Sequence, residues 1–263
     1  DTNNDNNIDV YKTTITVEKL AEAVQGYDEN GNELKGYIEY DDKWEKYDEG
    51  IVFSIIRNIE SDFAYCLGRT SKKMCILRHI ESGPKCTGQD IHIIYLSSKG
   101  NYWCQWIYQF AHEYCHHLID GTMSGEIKGL LWFEETICEL SSLFHLAQFY
   151  NRCLINPALY HYAPSVLDYL RDLQTKNAQL VELFHRESLT QWGDLLKEPV
   201  YHRDIYNAMA VSILPIVLKT PQLWKMILHF GDIRKWNNIE ELFDYLLCMA
   251  TDAYRQALLD FKK

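Results

Sequence analysis

The chain has 263 residues, of which 47% are hydrophobic and 24% charged, and its net charge is −11. Those fractions belong to an ordinary globular protein long enough to bury one sizeable core or two modest lobes, and they exclude a disordered chain. The acidic balance and the scattered Lys and Arg argue against a nucleic-acid partner, because phosphate binding needs clustered cations.

Residues 1–8 are polar and expected to form a flexible N-terminal segment. The β signals come next. Residues 13–17 are β-branched and alternating, 36–40 follow an Asn30-Gly31 turn, 74–80 follow a Gly-Arg-Thr-Ser turn, and 91–96 form a compact apolar strand. Residues 19–24 and 51–59 are expected helices among those strands, although 51–59 is apolar enough to be read as a strand as well. Asp28, Asn30, Asn32 and Glu39 partly fit a calcium loop, but Glu33 stands where the sharp turn needs Gly, so a hairpin turn at Asn30-Gly31 is expected instead.

From Trp103 onward the periodicity is helical, over 104–119, 130–150, 165–185, 201–218, 221–230 and 239–259. Segments 121–129, 151–164 and 188–199 are the expected connections. The pattern predicts an α+β fold with a small mixed sheet in a lobe over 9–120 and a mostly helical lobe over 121–263. The apolar run 208–218 is broken by Ser212 and Pro215 and is too short to cross a bilayer, so no transmembrane segment is expected. The eight cysteines, Cys66, Cys75, Cys86, Cys104, Cys115, Cys138, Cys153 and Cys248, include no CxxC pair and read as reduced, mostly buried thiols. That favours the cytoplasm, while the polar start also suits an exported or lipid-anchored protein.

The chemistry is concentrated in His112-Glu113-Tyr114-Cys115-His116, which fits HExxH. Four residues are a little over one helical turn, so the two imidazoles project from one face and can converge on an ion. Glu113 lies about 100° around the axis, within reach of water at such an ion but badly placed as a ligand. Zinc with three protein ligands keeps a fourth position for water and lowers its pKa towards neutrality, and a neighbouring carboxylate can then act as general base. Two His leave the site one ligand short. The next helical segment supplies Glu134, Glu135 and Glu139 in apolar surroundings, where carboxylates need partners.

With these residues in view, 91–146 resembles a gluzincin, the metallopeptidase group that includes thermolysin and related aminopeptidases. The resemblance implies a zincin-like fold in which a second helix provides the third ligand, a position that Glu135 matches. It also implies that Glu139 holds a ligand imidazole from behind, and that an edge strand borders the cleft and pairs with extended substrate; 91–96 is the candidate, and reads equally well as a plain core strand. Glu134 falls where the family often has Asn, and Thr136 where many relatives have Gly or Ala. Spacing alone leaves Glu134 open as the ligand; Glu135 is preferred because it sets Glu139 one turn further on. The oxyanion donor that such enzymes need is sought in 201–206, with Tyr206 and His202 as candidates. His117 and Cys115 are out of phase with the ligand face and are expected to pack. His145, His161 and His185 are expected to be structural or exposed.

The expected activity is therefore a zinc-dependent peptidase holding one Zn²⁺ on His112, His116 and Glu135, with Glu113 as base and a peptide or protein as substrate. The alternative is a zincin-like binding or regulatory protein that keeps a structural metal. Glu113 discriminates between them, since a binding module has no need of a carboxylate beside the ion.

Overall fold

A computed structural model describes residues 26–27, 31, 33–34, 36–38, 42–88, 90–119, 130–184, 191–193, 196, 202–236 and 238–262. The expected strand 13–17, helix 19–24 and connection 121–129, the candidate calcium-loop residues Asp28, Asn30, Asn32 and Glu39, and His185 and Tyr201 lie outside these residues. The described chain is mostly helical, with a small mixed sheet.

Strands β1 (Gly26–Tyr27) and β2 (Glu33–Leu34) pair antiparallel on either side of Gly31, whose φ is 80°. The main sheet comprises β3 (Gly36–Ile38), β4 (Met74–His79), β5 (Lys85–Thr87) and β6 (Ile91–Leu96), in the spatial order β3-β4-β6-β5. β3, β4 and β6 run parallel, and β5 returns antiparallel to β6 with Cys86 opposite Ile94. The expectation of an edge strand at 91–96 is thus corrected. β6 is interior, and the edge on that side is the three-residue β5, too short and too weakly apolar to stand out by alternation. Gly88 makes the tight return possible. Its φ is 115°, and a Cβ there would lie 2.2 Å from the Ile91 carbonyl oxygen, so only Gly fits.

The first long helix, α1 (Glu49–Leu67), starts where the Asp48 side chain accepts from the Ile51 amide at 3.1 Å and stops at left-handed Gly68. It is buried nearly all round, so its polar residues are paired. Arg57 Nη1 donates to Glu60 at 2.6 Å, and Asp62 pairs with Arg152. α2 (Trp103–Ile119) packs against β6. Gln109 ties it to the strand end, its Oε1 accepting from the Ser97 amide at 2.9 Å and the Ser98 amide at 3.1 Å.

The centre of the molecule is α3 (Leu131–Ile155), buried along most of its length between α2 and the later helices. Two small residues set its register on α2. Ser141 Oγ donates to the Ala111 carbonyl and Ser142 Oγ to the Tyr108 carbonyl, both at 2.7 Å, so the backbones approach closely without losing polar partners. The expected helix 165–185 divides into α4 (Ala163–Thr175) and α5 (Ala178–Phe184). At the break the Asn177 carbonyl receives the first amides of α5, and its side chain donates to Asn207 at 3.1 Å.

After α6 (Arg203–Lys219) comes a run of 3-10 turns, Pro221–Lys235, where a helix over 221–230 was expected; the Leu223 amide already bonds three residues back, to Thr220. The expected helix 239–259 is also two, α7 (Ile239–Met249) and α8 (Asp252–Lys262), parted at extended Ala250. One continuous buried cluster joins the sheet, α1, α2, α3 and the C-terminal helices. All eight cysteines are free thiols. Among the described residues no single helix is long and apolar enough to cross a membrane; α6 and the following turns pass that test only as a pair bent by 120°.

Candidate metal centre

Helical spacing brings His112 and His116 to the face of α2 that meets α3, with their ring centroids 5.1 Å apart. The register set by Ser141 and Ser142 places Glu135 opposite both rings. His112 Nε2 is 3.3 Å from one Glu135 carboxylate oxygen, and His116 Nε2 is 3.6 Å from the other. Ligands about 2.1 Å from a tetrahedral zinc stand roughly 3.4 Å from one another. Each imidazole thus stands near that distance from the Glu135 carboxylate, though on a different one of its two oxygens, so the donor types and these two separations are compatible with such an ion.

Glu134 lies on the other side of His116, its Oε1 2.7 Å from Nδ1. The spacing of the sequence left Glu134 and Glu135 as rivals; the fold sends one to the Nε2 side and the other to the Nδ1 side. Glu139 is 3.8 Å from His112 Nδ1, too far for a direct bond, but it is firmly held. Tyr108 donates to its carboxylate, Asn207 Nδ2 donates to it at 3.0 Å, and Arg203 Nη2 donates to the Tyr108 hydroxyl at 3.2 Å. Tyr108, Asn207 and Arg203 carry no motif signal. Tyr108 stands one turn before His112, which is the trace that could have pointed to it.

The electrostatics follow from this arrangement. Burial pushes the Glu113 carboxyl up, opposed by the neighbouring His112 and His116 and reinforced by Glu135. Burial opposes charge on His116, but the Glu134 hydrogen bond and the charges of Glu134, Glu135 and Glu113 outweigh it and raise the imidazole to about 10. Glu135 is held low against its own burial by the His112 hydrogen bond and the two imidazoles. Tyr206 is buried, which raises its phenol, and the Glu135 charge acts in the same direction. His202 opens α6, its carbonyl accepting from Ile205 and Tyr206; among the described residues no contact joins its ring to the metal-site side chains.

Cys138 was read in the sequence only as a packing thiol. It is fully buried, yet His112, His116 and Cys138 each bring a ligand atom within 4.8 Å of the other two. Burial, the Cys115 thiol and the charges of Glu134 and Glu135 all push the Cys138 thiol up, so it stays protonated without a metal.

His117 turns away from this face, as helical phase requires. Its Nδ1 is 2.9 Å from His92 Nδ1 and its Nε2 is 2.7 Å from Ser71 Oγ, while His92 Nε2 is 3.4 Å from Lys73 Nζ. The Lys73 ammonium can only donate, so His92 accepts at Nε2 and donates at Nδ1. His117 then donates to Ser71, whose hydroxyl donates to the Lys73 carbonyl at 2.9 Å. His117 has no lone pair left for the Ser71 proton, so Ser71 and His117 do not form a nucleophile and base. His145 is likewise structural, buried with Nδ1 2.9 Å from the Ser141 carbonyl, and His161 is exposed. No family model, curated protein or solved structure matches the chain.

Proposed function

We propose that the protein is a zinc-dependent peptidase of the gluzincin type, with His112, His116 and Glu135 as ligands. One observation carries the reading: two Nε2 atoms face one carboxylate at ligand-to-ligand distances, while the Nδ1 side of each ring turns towards a second carboxylate. Such outer carboxylates fix ring orientation and raise ligand basicity. Bound zinc would polarise a scissile carbonyl and acidify water. Glu113 would take the proton from that water and deliver it to the leaving amine, and its burial raises its affinity for the proton in transit. The β5 edge, packed beside α2, offers backbone groups to which an extended peptide can add as another strand. Arg203, held against Tyr108 and acting electrostatically on Glu113 and Glu135, and Tyr206, which senses the Glu135 charge, are the candidate donors for charge developing on the carbonyl oxygen.

The test begins with elemental analysis of the purified protein and of His116→Ala, followed by a fluorogenic peptide library assayed with wild type and Glu113→Gln. About one zinc per chain, lost in His116→Ala, with hydrolysis lost but zinc kept in Glu113→Gln, supports the reading. Hydrolysis that survives Glu113→Gln removes the base from the scheme.

The position of Cys138 favours one competing reading, a closed structural site in which the thiolate completes the ligand set and no position is left for water. Cobalt substitution separates the two. A thiolate-to-cobalt charge-transfer band that disappears in Cys138→Ser marks the closed site, and its absence in wild type leaves the open one.

A further inference from the structure

Three helices each present a second side chain one turn away from the proposed metal centre. Tyr108 precedes His112 by four residues on α2, Glu139 follows Glu135 by four on α3, and Asn207 follows Arg203 by four on α6, so the members of each pair share a face. Tyr108, Glu139 and Asn207 are all buried, and they meet one another. Tyr108 donates to the Glu139 carboxylate and Asn207 Nδ2 donates to Glu139 Oε1 at 3.0 Å, while Glu139 Oε2 stands 3.8 Å from His112 Nδ1. A buried carboxylate is costly unless donors occupy its lone pairs, and here two do.

Each donor is fixed in direction by a group behind it. Arg203 Nη2 donates to the Tyr108 hydroxyl at 3.2 Å; a guanidinium can only donate, so the hydroxyl turns its own proton to Glu139. Asn177 Nδ2 donates to Asn207 Oδ1 at 3.1 Å, which leaves the amino end of that amide facing Glu139. Flipping the Asn207 amide would set oxygen against oxygen at Glu139 and nitrogen against nitrogen at Asn177. A carboxylate held on the Nδ1 side of His112 favours the ring proton there and leaves the Nε2 lone pair for a metal.

We propose that Tyr108 and Asn207 are positioning residues: by fixing the Glu139 carboxylate they hold His112 in the orientation and tautomer that a metal ligand needs. This role rests on the reading of His112 as a ligand through Nε2, and is the same whether or not Cys138 joins the ligand set.

Zinc affinity of the full chain, measured against a competing chelator, tests it, with urea unfolding of the metal-free protein as the control for lost packing. Glu139→Ala is expected to weaken zinc about thirtyfold. Tyr108→Phe and Asn207→Leu should each weaken it about fivefold, so that together they approach the loss of the carboxylate itself. A double-mutant cycle supplies the readout that a merely structural role would not give: Tyr108→Phe made in Glu139→Ala should cost no further affinity. Should Asn207→Leu fail to fold, Tyr108→Phe, which removes a single oxygen, still decides. Zinc that is lost in His112→Ala but bound as tightly or more tightly in Tyr108→Phe overturns the inference alone, and so does an equal loss from Tyr108→Phe with and without Glu139. Wild type that takes up no zinc, or uptake indifferent to His112→Ala, overturns the metal reading and this inference with it.

Discussion

Replacing Glu134 by Gln tests the proposed metal centre most sharply, because it changes one charge and almost no volume. Glu134 is buried and its Oε1 stands 2.7 Å from His116 Nδ1, so the imidazole donates there while Nε2 faces Glu135. Gln keeps an oxygen in reach but loses the charge, and a charge-assisted bond is roughly twice as strong as a neutral one. Loss of such outer support costs roughly ten- to hundredfold in metal affinity, about 1.4–2.7 kcal/mol. A second effect opposes it. In the metal-free protein His116 is raised to about 10, so near neutral pH a proton must leave before Nε2 can bind. Glu134→Gln lowers that pKa and relieves the competition. The wild-type advantage should therefore grow as the pH rises from 6 to 9, reaching at least tenfold at the upper end. Zinc affinity measured against a competing chelator at several pH values reads both effects. An advantage that is constant or shrinks with rising pH refutes the placement of Glu134 behind His116.

The same pair predicts a pH dependence of folding. The His116 pKa is higher folded than unfolded, so its stabilisation of the metal-free protein is complete below about pH 6.5 and lost as the pH rises towards about 10. Urea midpoints of metal-free wild type should fall over that window more steeply than those of Glu134→Gln; parallel curves would contradict the linkage. Truncating Asp62 to Ala leaves the buried Arg152 guanidinium without its partner and should cost about 3–5 kcal/mol by denaturant unfolding, whereas a loss below about 1 kcal/mol would show the pair to be solvated. Among the cysteines, exposed Cys248 should react first with a thiol reagent in native protein, and buried Cys66, Cys75, Cys115, Cys138 and Cys153 only on unfolding. Rapid native labelling of any of these five would show that their surroundings open. Glu135→Ala should lose more zinc affinity than Glu134→Ala, and the reverse order would exchange ligand and outer support.

The elements that were legible in the sequence are those that local periodicity specifies. β4, β6 and α2 stand close to where alternation and the 3.6-residue repeat put them, α1 begins near its expected start but runs on to Leu67, and His112 and His116 share a face because four residues nearly complete a turn of any α-helix. Breaks were less legible. The parting of α4 from α5 depends on Asn177 reaching Asn207, a partner thirty positions away that periodicity does not see. The strand order is a matter of long-range pairing, so the choice between the edge role that the resemblance implied for 91–96 and a core strand was made only by β5, which covers β6. At the proposed metal centre the residue types could be read off, but their placement around the two imidazoles could not. Which glutamate faces the Nε2 atoms depends on the rotation of α3 about α2, set by two serine hydroxyls on α2 carbonyls. Cys138 near the imidazoles and Tyr108 and Asn207 on Glu139 arise from that same packing of distant segments, which spacing within one segment does not encode.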